Sequence, residues 1–295
     1  MQRHDFDAFQ RSVFASYAKG EYQAALARIE ADKGRFPDQK AQWLYWQLCF
    51  NGLLKNTAGA EQAMQDALRS GIWWSPRTLD AETDFAAIRG EPSFTAFRDA
   101  MEAALLRASQ GAQAILLRAG PANASRRVLN LHWRGDKAAN YQKYFQPLLP
   151  DLEMLFIQSS QPSSSEGFCW DDHEQAIRDV EGLLGASLPS LDAIIGSSQG
   201  GVIALKLAAR YSLPYFGVMP AFSDPAAFMP LFKPDGKYRF SIGTADRFYG
   251  AAAALQAELA KGGVDAKLVT MADAGHFFPQ DFLTYFNPIM EELLA

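Results

Sequence analysis

The sequence predicts an α/β domain, a mostly parallel sheet covered by helices on both faces, behind an all-helical N-terminal domain. Three observations carry this. Residues 3 to about 109 place apolar side chains at helical spacing and show no convincing strand. From about residue 110 onward, short apolar runs alternate with amphipathic helices, as parallel strands joined by helical crossovers do. A length of 295 residues accommodates one small and one medium domain. The boundary falls at a change of pattern, giving residues 1–110 and 111–295.

In the first part, residues 21–36 put Tyr22, Ala25, Leu26 and Ile29 on one helical face, with Gly20 before and Pro37 after as start and stop signals. Residues 40–54 are apolar around Trp43, Tyr45, Trp46, Leu48 and Phe50. An amphipathic helix over 60–71 ends at Gly71, and one over 92–109 opens with Pro92, where a missing N–H costs nothing. The second part predicts strands over 113–119, 127–133, 153–159, 191–198, 215–221, 238–243 and 265–271, and helices over 141–149, 173–184, 199–211, 248–263 and 282–294. Sites in such sheets lie at the carboxyl ends of strands. Segments 159–170 and 221–237 read as loops whose aromatic residues either shape an apolar pocket or simply pack.

Composition narrows the function. Hydrophobic residues make up 48% and charged residues 21%, ordinary for a packed globular chain. The net charge is −5 and Arg126-Arg127 is a pair rather than a basic face, so nucleic acid is not an expected partner. Cys49 and Cys169 fall in different predicted domains and form no CxxC, which points to packing residues, not a disulfide framework or zinc site. The first residues are charged and lack an apolar run, so no secretory signal is read there, and no window approaches about 18 apolar residues. A reducing cytoplasm is the expected location. No phosphate-cradling G-x-x-x-x-G-K-[ST] and no H-E-x-x-H occur, so phosphoryl transfer and metal chemistry have no support and no metal is expected.

Gly196-Ser197-Ser198-Gln199-Gly200 is a GxSxG pentapeptide. An apolar strand runs into it and a helix leaves it, the context a tight strand–turn–helix elbow needs to present Ser198 as a nucleophile. A hydroxyl attacks only if a base takes its proton. Of His4, His132, His173 and His276, only His276 follows the last strand and precedes the last helix, the place where the chain order Ser…Asp…His puts a base. Asp246 comes three residues after Gly243 at the end of the preceding strand, placed to orient the imidazole, with Asp273 as the runner-up acid. Acyl transfer also needs backbone donors for the developing oxyanion. One is the amide of Gln199; the other belongs to the loop containing His132-Trp133-Arg134-Gly135.

These residues carry a family resemblance. GSSQGGVIALKLA is similar to the GxSQGG elbow of the carboxylesterase and acyl-protein thioesterase group of α/β-hydrolases. LNLHWRGDKAANY looks like that group's LHGxG segment, GTAD like its acid turn and AGHFFPQDF like its base loop. Four motifs in the right order over about residues 110–295 imply the fold, esterase or thioesterase chemistry on a small acyl ester or thioester, no cofactor, and the amide of Arg134 as second oxyanion donor. Trp133 stands where the group has glycine, so it either distorts the oxyanion site or walls the acyl pocket; Trp133 and Trp170 are the candidate substrate contacts. Ile242 replaces a histidine of the acid turn.

In the helical part, AKGEYQAALARIE resembles the second helix of a tetratricopeptide repeat, and AETDFAAIRGEPSFTAF the tail that follows a last repeat. That resemblance, over roughly residues 10–107, implies a surface for a protein partner, although such repeats bury their faces by stacking and barely two fit here. An unrelated helical bundle is the other reading. Three functions are therefore expected to compete: a serine esterase or thioesterase, favoured; an interaction module with a degenerate hydrolase domain; and a peptidase on the same scaffold.

Overall fold

The computed structural model describes residues 2–147 and 151–295, with the side chains of residues 2–5 and 7 outside the description. Two compact units result: Met1–Gly111 together with Ser163–Glu166, and Ala112–Pro162 together with Gly167–Ala295.

The smaller unit holds α1 (Gln2–Ala18), α2 (Tyr22–Asp32), α3 (Lys40–Leu53), α4 (Thr57–Arg69), α5 (Pro76–Ala81) and α6 (Pro92–Gly111). Helix α3 packs against both α2 and α4. That central place explains why it buries residues nearly all round, Trp43, Leu44, Trp46, Leu48 and Phe50 among them. Local signals set the ends. Asn56 caps α4 by accepting the Gly59 amide at 3.2 Å, and Ser75 caps α5 by accepting that of Thr78 at 3.3 Å, with Pro76 at the first turn. Helices α1 and α5 add to the four delineated from sequence: α1 buries a sparse stripe of Phe6, Phe9 and Val13, and α5, at 6 residues, is too short for periodicity to show.

The larger unit is built on a seven-stranded sheet, interleaved with helices. Its strands are β1 (Ile115–Ala119), β2 (Arg126–Leu131), β3 (Leu152–Gln158), β6 (Ala193–Ser197), β7 (Tyr215–Val218), β8 (Lys237–Gly243) and β9 (Asp265–Met271), while β4 (Gln161–Ser164) and β5 (Gly167–Cys169) form a separate pair. The helices are α7 (Ala138–Tyr141), α8 (His173–Leu184), α9 (Gln199–Tyr211), α10 (Pro225–Phe228), α11 (Tyr249–Lys261) and α12 (Phe282–Leu293). The order across the sheet is β1-β3-β2-β6-β7-β8-β9. Among the described strands of this sheet, only β1 runs antiparallel, against β3. Successive residues of β3 feed opposite faces: Leu155 and Ile157 join a core with α8 and α9, whereas Met154 and Phe156 join one with Tyr141, Phe145 and α12. Burial on both faces makes such strands continuously apolar. From β2 the chain steps outward to β3, then returns across β2 to β6 and proceeds the other way. The sheet's switch point therefore lies between β2 and β6, and crevices at switch points are where open α/β sheets bind ligands.

Three predicted segments differ in detail. The helix predicted over 141–149 is the short α7 followed by a tight helical turn, Gln142–Phe145, and positions 148 and 149 lie outside the described residues. The stretch 159–170, read as a loop, contains the β4–β5 hairpin, and the end of β4 with its turn, Ser163–Glu166, groups with the helical unit, where the Ser75 amide donates to the Ser163 carbonyl at 2.7 Å. Within 221–237 the structure forms α10 and a further helical turn, Met229–Leu231. No helix of the described residues is long and apolar enough to cross a membrane.

Candidate active site

Strand β6 delivers Ser198 into a sharp bend with φ 50° and ψ −118°, and α9 begins at the next residue. That conformation is costly for a residue with a Cβ, on the order of 1–3 kcal/mol, and persists only where the surroundings impose it. Here they do. The Ser198 amide donates to the Val218 carbonyl at 3.0 Å, while the Ser198 carbonyl accepts from Gly201 at 3.0 Å and Ala221 at 3.1 Å. Gly200 lets α9 close on β2: a Cβ there would stand 2.3 Å from the His132 carbonyl oxygen and 2.6 Å from that of Leu131. Beneath the bend, Ser197 donates to the buried phenol of Tyr141, which donates in turn to Asn130 Oδ1 at 2.9 Å. Burial raises the Tyr141 pKa well above its ordinary value, so the phenol stays protonated.

His276 comes from the loop after β9, Asp246 from the turn after β8. His276 Nε2 lies 2.7 Å from Ser198 Oγ, and its Nδ1 lies 2.6 Å from Asp246 Oδ2. With the carboxylate accepting from Nδ1–H, Nε2 is left as the acceptor that faces the hydroxyl. The Asp246 side chain is 0% exposed and that of His276 28%; the second Asp246 oxygen accepts the Phe248 amide at 2.9 Å. Backbone contact stitches the acid turn to the base loop: the Ala245 amide donates to the Ala274 carbonyl at 3.0 Å. Only glycine at 243 permits this, since a Cβ would fall 2.0 Å from that same carbonyl oxygen. Asp273 is exposed, at φ 54°, with its amide bonded to Thr244 Oγ1. Asp246, not Asp273, is the carboxylate on His276.

The other histidines stand apart. His132 is fully buried; Nδ1–H donates to the Trp133 carbonyl at 2.6 Å, and burial holds its pKa down to about 4, so the ring is neutral. His173 opens α8 behind the Asp172 cap and accepts from the Lys206 ammonium at 2.9 Å; burial and that cation lower its pKa. The side chain of His4 lies outside the described ones.

Gln199, as the first residue of α9, has an amide with no partner within its helix. Arg134 follows the carbonyl that His132 grips. In a trans peptide the C=O and the next N–H point opposite ways, so that grip fixes the direction of the Arg134 N–H. Both residues are also tied by their side chains. Gln199 Nε2 donates to Asp171 Oδ1 at 2.7 Å, and the Arg134 guanidinium pairs with that same oxygen. Sequence reasoning passed over Asp171. Its neighbour Asp172 accounts for the helix cap, and the unexplained second acid in Trp170-Asp171-Asp172 was the available signal.

Trp170 sits differently from the pocket wall expected of it. Trp170 is 0% exposed; its indole N–H donates to the His132 carbonyl at 2.7 Å, so the ring presents no face to solvent and braces the loop instead. Trp133 is half-buried, with its ring centroid 4.9 Å from both Tyr144 and Phe278. It is not among the non-glycine residues with positive φ, whereas Gly135, two positions on, has φ 85°. The left-handed conformation in this loop thus falls on a glycine, and Trp133 forces no backbone conflict.

Both cysteines are buried, and burial raises their pKa values, that of Cys169 up to about 11. Among the described residues, Cys49, Glu82 and Asp84 bring a thiol and two carboxylates within 4.8 Å of one another. A protonated thiol is a poor ligand, and the phenols of Tyr45 and Tyr17 already donate to the two carboxylates.

No family model matches the sequence, and no curated protein matches it. Solved structures do. An uncharacterized protein from Bacillus cereus ATCC 10987 is similar over 98% of this chain and 98% of its own, at 14% identity and a TM-score of 0.51. Esterase PE8 is similar over 62% of this chain and 99% of its own, at 19% identity and a TM-score of 0.50. The Zea mays acyl-protein thioesterase 2 matches 62% of this chain and 100% of its own, at 15% identity and a TM-score of 0.48. Parallel sheet, flanking helices and the match to esterase PE8 agree: the larger unit has the α/β-hydrolase fold.

Proposed function

We propose that the larger unit is a serine hydrolase that cleaves a carboxylic ester or thioester through an acyl-enzyme. One observation carries this: the continuous hydrogen-bonded line from Ser198 Oγ through His276 to buried Asp246. On this reading His276 Nε2 takes the hydroxyl proton as Oγ attacks the acyl carbon. The amides of Gln199 and Arg134 hold the oxygen of the tetrahedral intermediate. His276 then passes the proton to the leaving oxygen or sulfur as its bond to carbon breaks, and water repeats the sequence to release the acid. Asp246 holds the tautomer and stabilises the imidazolium. A positioned base is worth roughly 10²–10⁴-fold and an oxyanion donor about 2.7–4 kcal/mol, enough for ester cleavage without a cofactor. Phe277, exposed next to His276, offers an apolar surface for an acyl or aromatic group.

For the helical unit we propose the tetratricopeptide-like reading, residues 1–110 serving a protein partner and residues 111–295 the chemistry. The neighbouring packing of α1 with α2 and of α3 with α4 supports it.

A fluorophosphonate probe should label the wild type at Ser198, located by peptide mass spectrometry, and leave Ser198→Ala unlabelled. Short p-nitrophenyl esters should turn over, with thioesters and anilides alongside to rank the leaving group. Folded wild type that neither takes the probe nor cleaves any ester would refute the hydrolase and favour a pure interaction module. Comparable cleavage of anilides would make it a peptidase.

A further inference from the structure

Resting on the serine-hydrolase reading, we infer that Asp171 is a positioning residue that fixes the two oxyanion amides relative to each other. Arg134 and Gln199 leave different strands, β2 and β6, on the two sides of the switch point, and nothing in the sheet ladder extends far enough to hold their amides in register: the last β2–β6 pair is Leu131 with Gly196. What spans the gap is a strap, residues 168–171. Asp171 Oδ1 accepts from the Arg134 guanidinium and, at 2.7 Å, from Gln199 Nε2. The other end of the Gln199 amide, Oε1, accepts from the Trp170 backbone at 2.9 Å, so the side chain is gripped at both its polar atoms. Three further ties bind the strap to the β2 loop: the Trp170 indole donates to the His132 carbonyl at 2.7 Å, the Gly135 amide to the Phe168 carbonyl at 2.8 Å, and the Phe168 amide to the Asp136 carbonyl at 2.9 Å.

An ordinary surface ion pair joins two residues that happen to face each other, and contributes little. Asp171 is only 21% exposed, and Arg134 and Gln199, two of its partners, are the residues whose main-chain amides the proposed reaction needs. Oxyanion stabilisation depends on donors already aimed before charge develops, within a few tenths of an ångström. A carboxylate that holds Arg134 and Gln199 to one oxygen atom supplies that constraint. It never touches the substrate. Its removal should therefore act on the transition state and leave ground-state binding alone.

The test compares wild type, Asp171→Ala, Asp171→Asn and Arg134→Met in ester turnover, in inhibition by an aryl trifluoromethyl ketone, which forms a tetrahedral adduct, and in thermal melting. Asp171→Ala should lower kcat roughly 10–100-fold with KM within about twofold, and weaken the ketone by the same factor. Asp171→Asn keeps a carbonyl oxygen in place and should recover most of the loss. Arg134→Met cuts one tie while leaving the Arg134 amide in the chain, and should also lower kcat; it serves if Asp171→Ala does not fold. A folded Asp171→Ala or Arg134→Met with wild-type kcat overturns the inference while the hydrolase reading stands. So does a raised KM at constant kcat, which would make Asp171 a substrate contact. Wild type inert to both ester and fluorophosphonate ends the hydrolase reading and this one with it.

Discussion

Gly200→Ala is the most direct probe of how the elbow meets the oxyanion loop. The added Cβ would lie 2.3 Å from the His132 carbonyl oxygen and 2.6 Å from that of Leu131, both of them backbone atoms that cannot rotate away. Comfortable carbon–oxygen contact begins near 3.4 Å, so about 1 Å of separation must open between the first turn of α9 and the end of β2. Strand pairing resists the movement up to Leu131 and Gly196. The displacement therefore falls on what lies beyond, Gln199 on one side and residues 132–135 on the other. A misplacement of that size at reacting groups costs about 10²-fold, and the overpacking itself costs about 1–3 kcal/mol of stability. The assay is kcat/KM on a short p-nitrophenyl ester at 25 °C, beside a thermal melt. Gly182→Ala is the control. It sits within α8 with nothing inside 4 Å of its Cβ, and should leave activity unchanged while gaining about 0.5–1 kcal/mol. Gly200→Ala with the wild-type kcat/KM would mean that the close approach sets neither donor, and would refute the reasoning.

Two more outcomes follow from the same region. Trp133→Ala should lose about 2 kcal/mol, a half-buried share of the usual large aromatic truncation, and should slow fluorophosphonate labelling because Phe278, two residues past His276, loses a packing partner at 4.9 Å; Trp133→Phe restoring neither stability nor rate would count against packing as the cause. His132 makes acid sensitivity predictable. Its folded pKa of about 4 lies below the unfolded value of about 6.5, so the folded state binds fewer protons between them. Stability is then complete above pH 6.5 and falls, by about 3 kcal/mol in all, as pH drops toward 4. Urea unfolding at pH 7.5, 5.5 and 4.5 should show this slope in the wild type and a shallower one in His132→Gln; parallel curves would contradict it.

What could be read in the sequence was whatever obeys local rules. The α/β pattern is a matter of period and run length, so strands such as β3 and helices such as α9 were predicted close to their observed bounds. Ser198, Asp246 and His276 were proposed because each sits just past a strand, and strand ends meet at one edge of a parallel sheet. The structure brings those three together and leaves the runner-up, Asp273, exposed. Illegible were the features made by partners distant in the chain. Nothing near Trp170 announces that its indole will be spent on the carbonyl of His132, 38 positions earlier. The hairpin β4–β5 was hidden for a different reason: its strands, QPSS and GFC, are too short and too polar or mixed to show the apolar alternation that marks a half-buried strand.

The two halves of the site are stabilised by different means, and this explains which half the sequence revealed. Ser198, the proposed nucleophile, is held by main chain: a sheet ladder up to Ser197, amides that donate and carbonyls that accept around Ser198, and glycines that allow contact. Main-chain arrangements of this kind leave a motif, because only glycine tolerates them. The proposed oxyanion loop begins where the ladder stops, at Leu131, and side chains supply much of its hold: the His132 ring on its own next carbonyl, the Trp170 indole on the carbonyl before that, and Arg134 on Asp171. Many residue combinations can build such a brace, so it leaves no fixed pattern, and a tryptophan can replace a glycine at 133 once its ring has the Tyr144 and Phe278 faces to pack on. It follows that substitutions at the elbow should be damaging almost whatever replaces the glycine. Those in the brace should be rescued by side chains that restore the bond, as Asn should at 171.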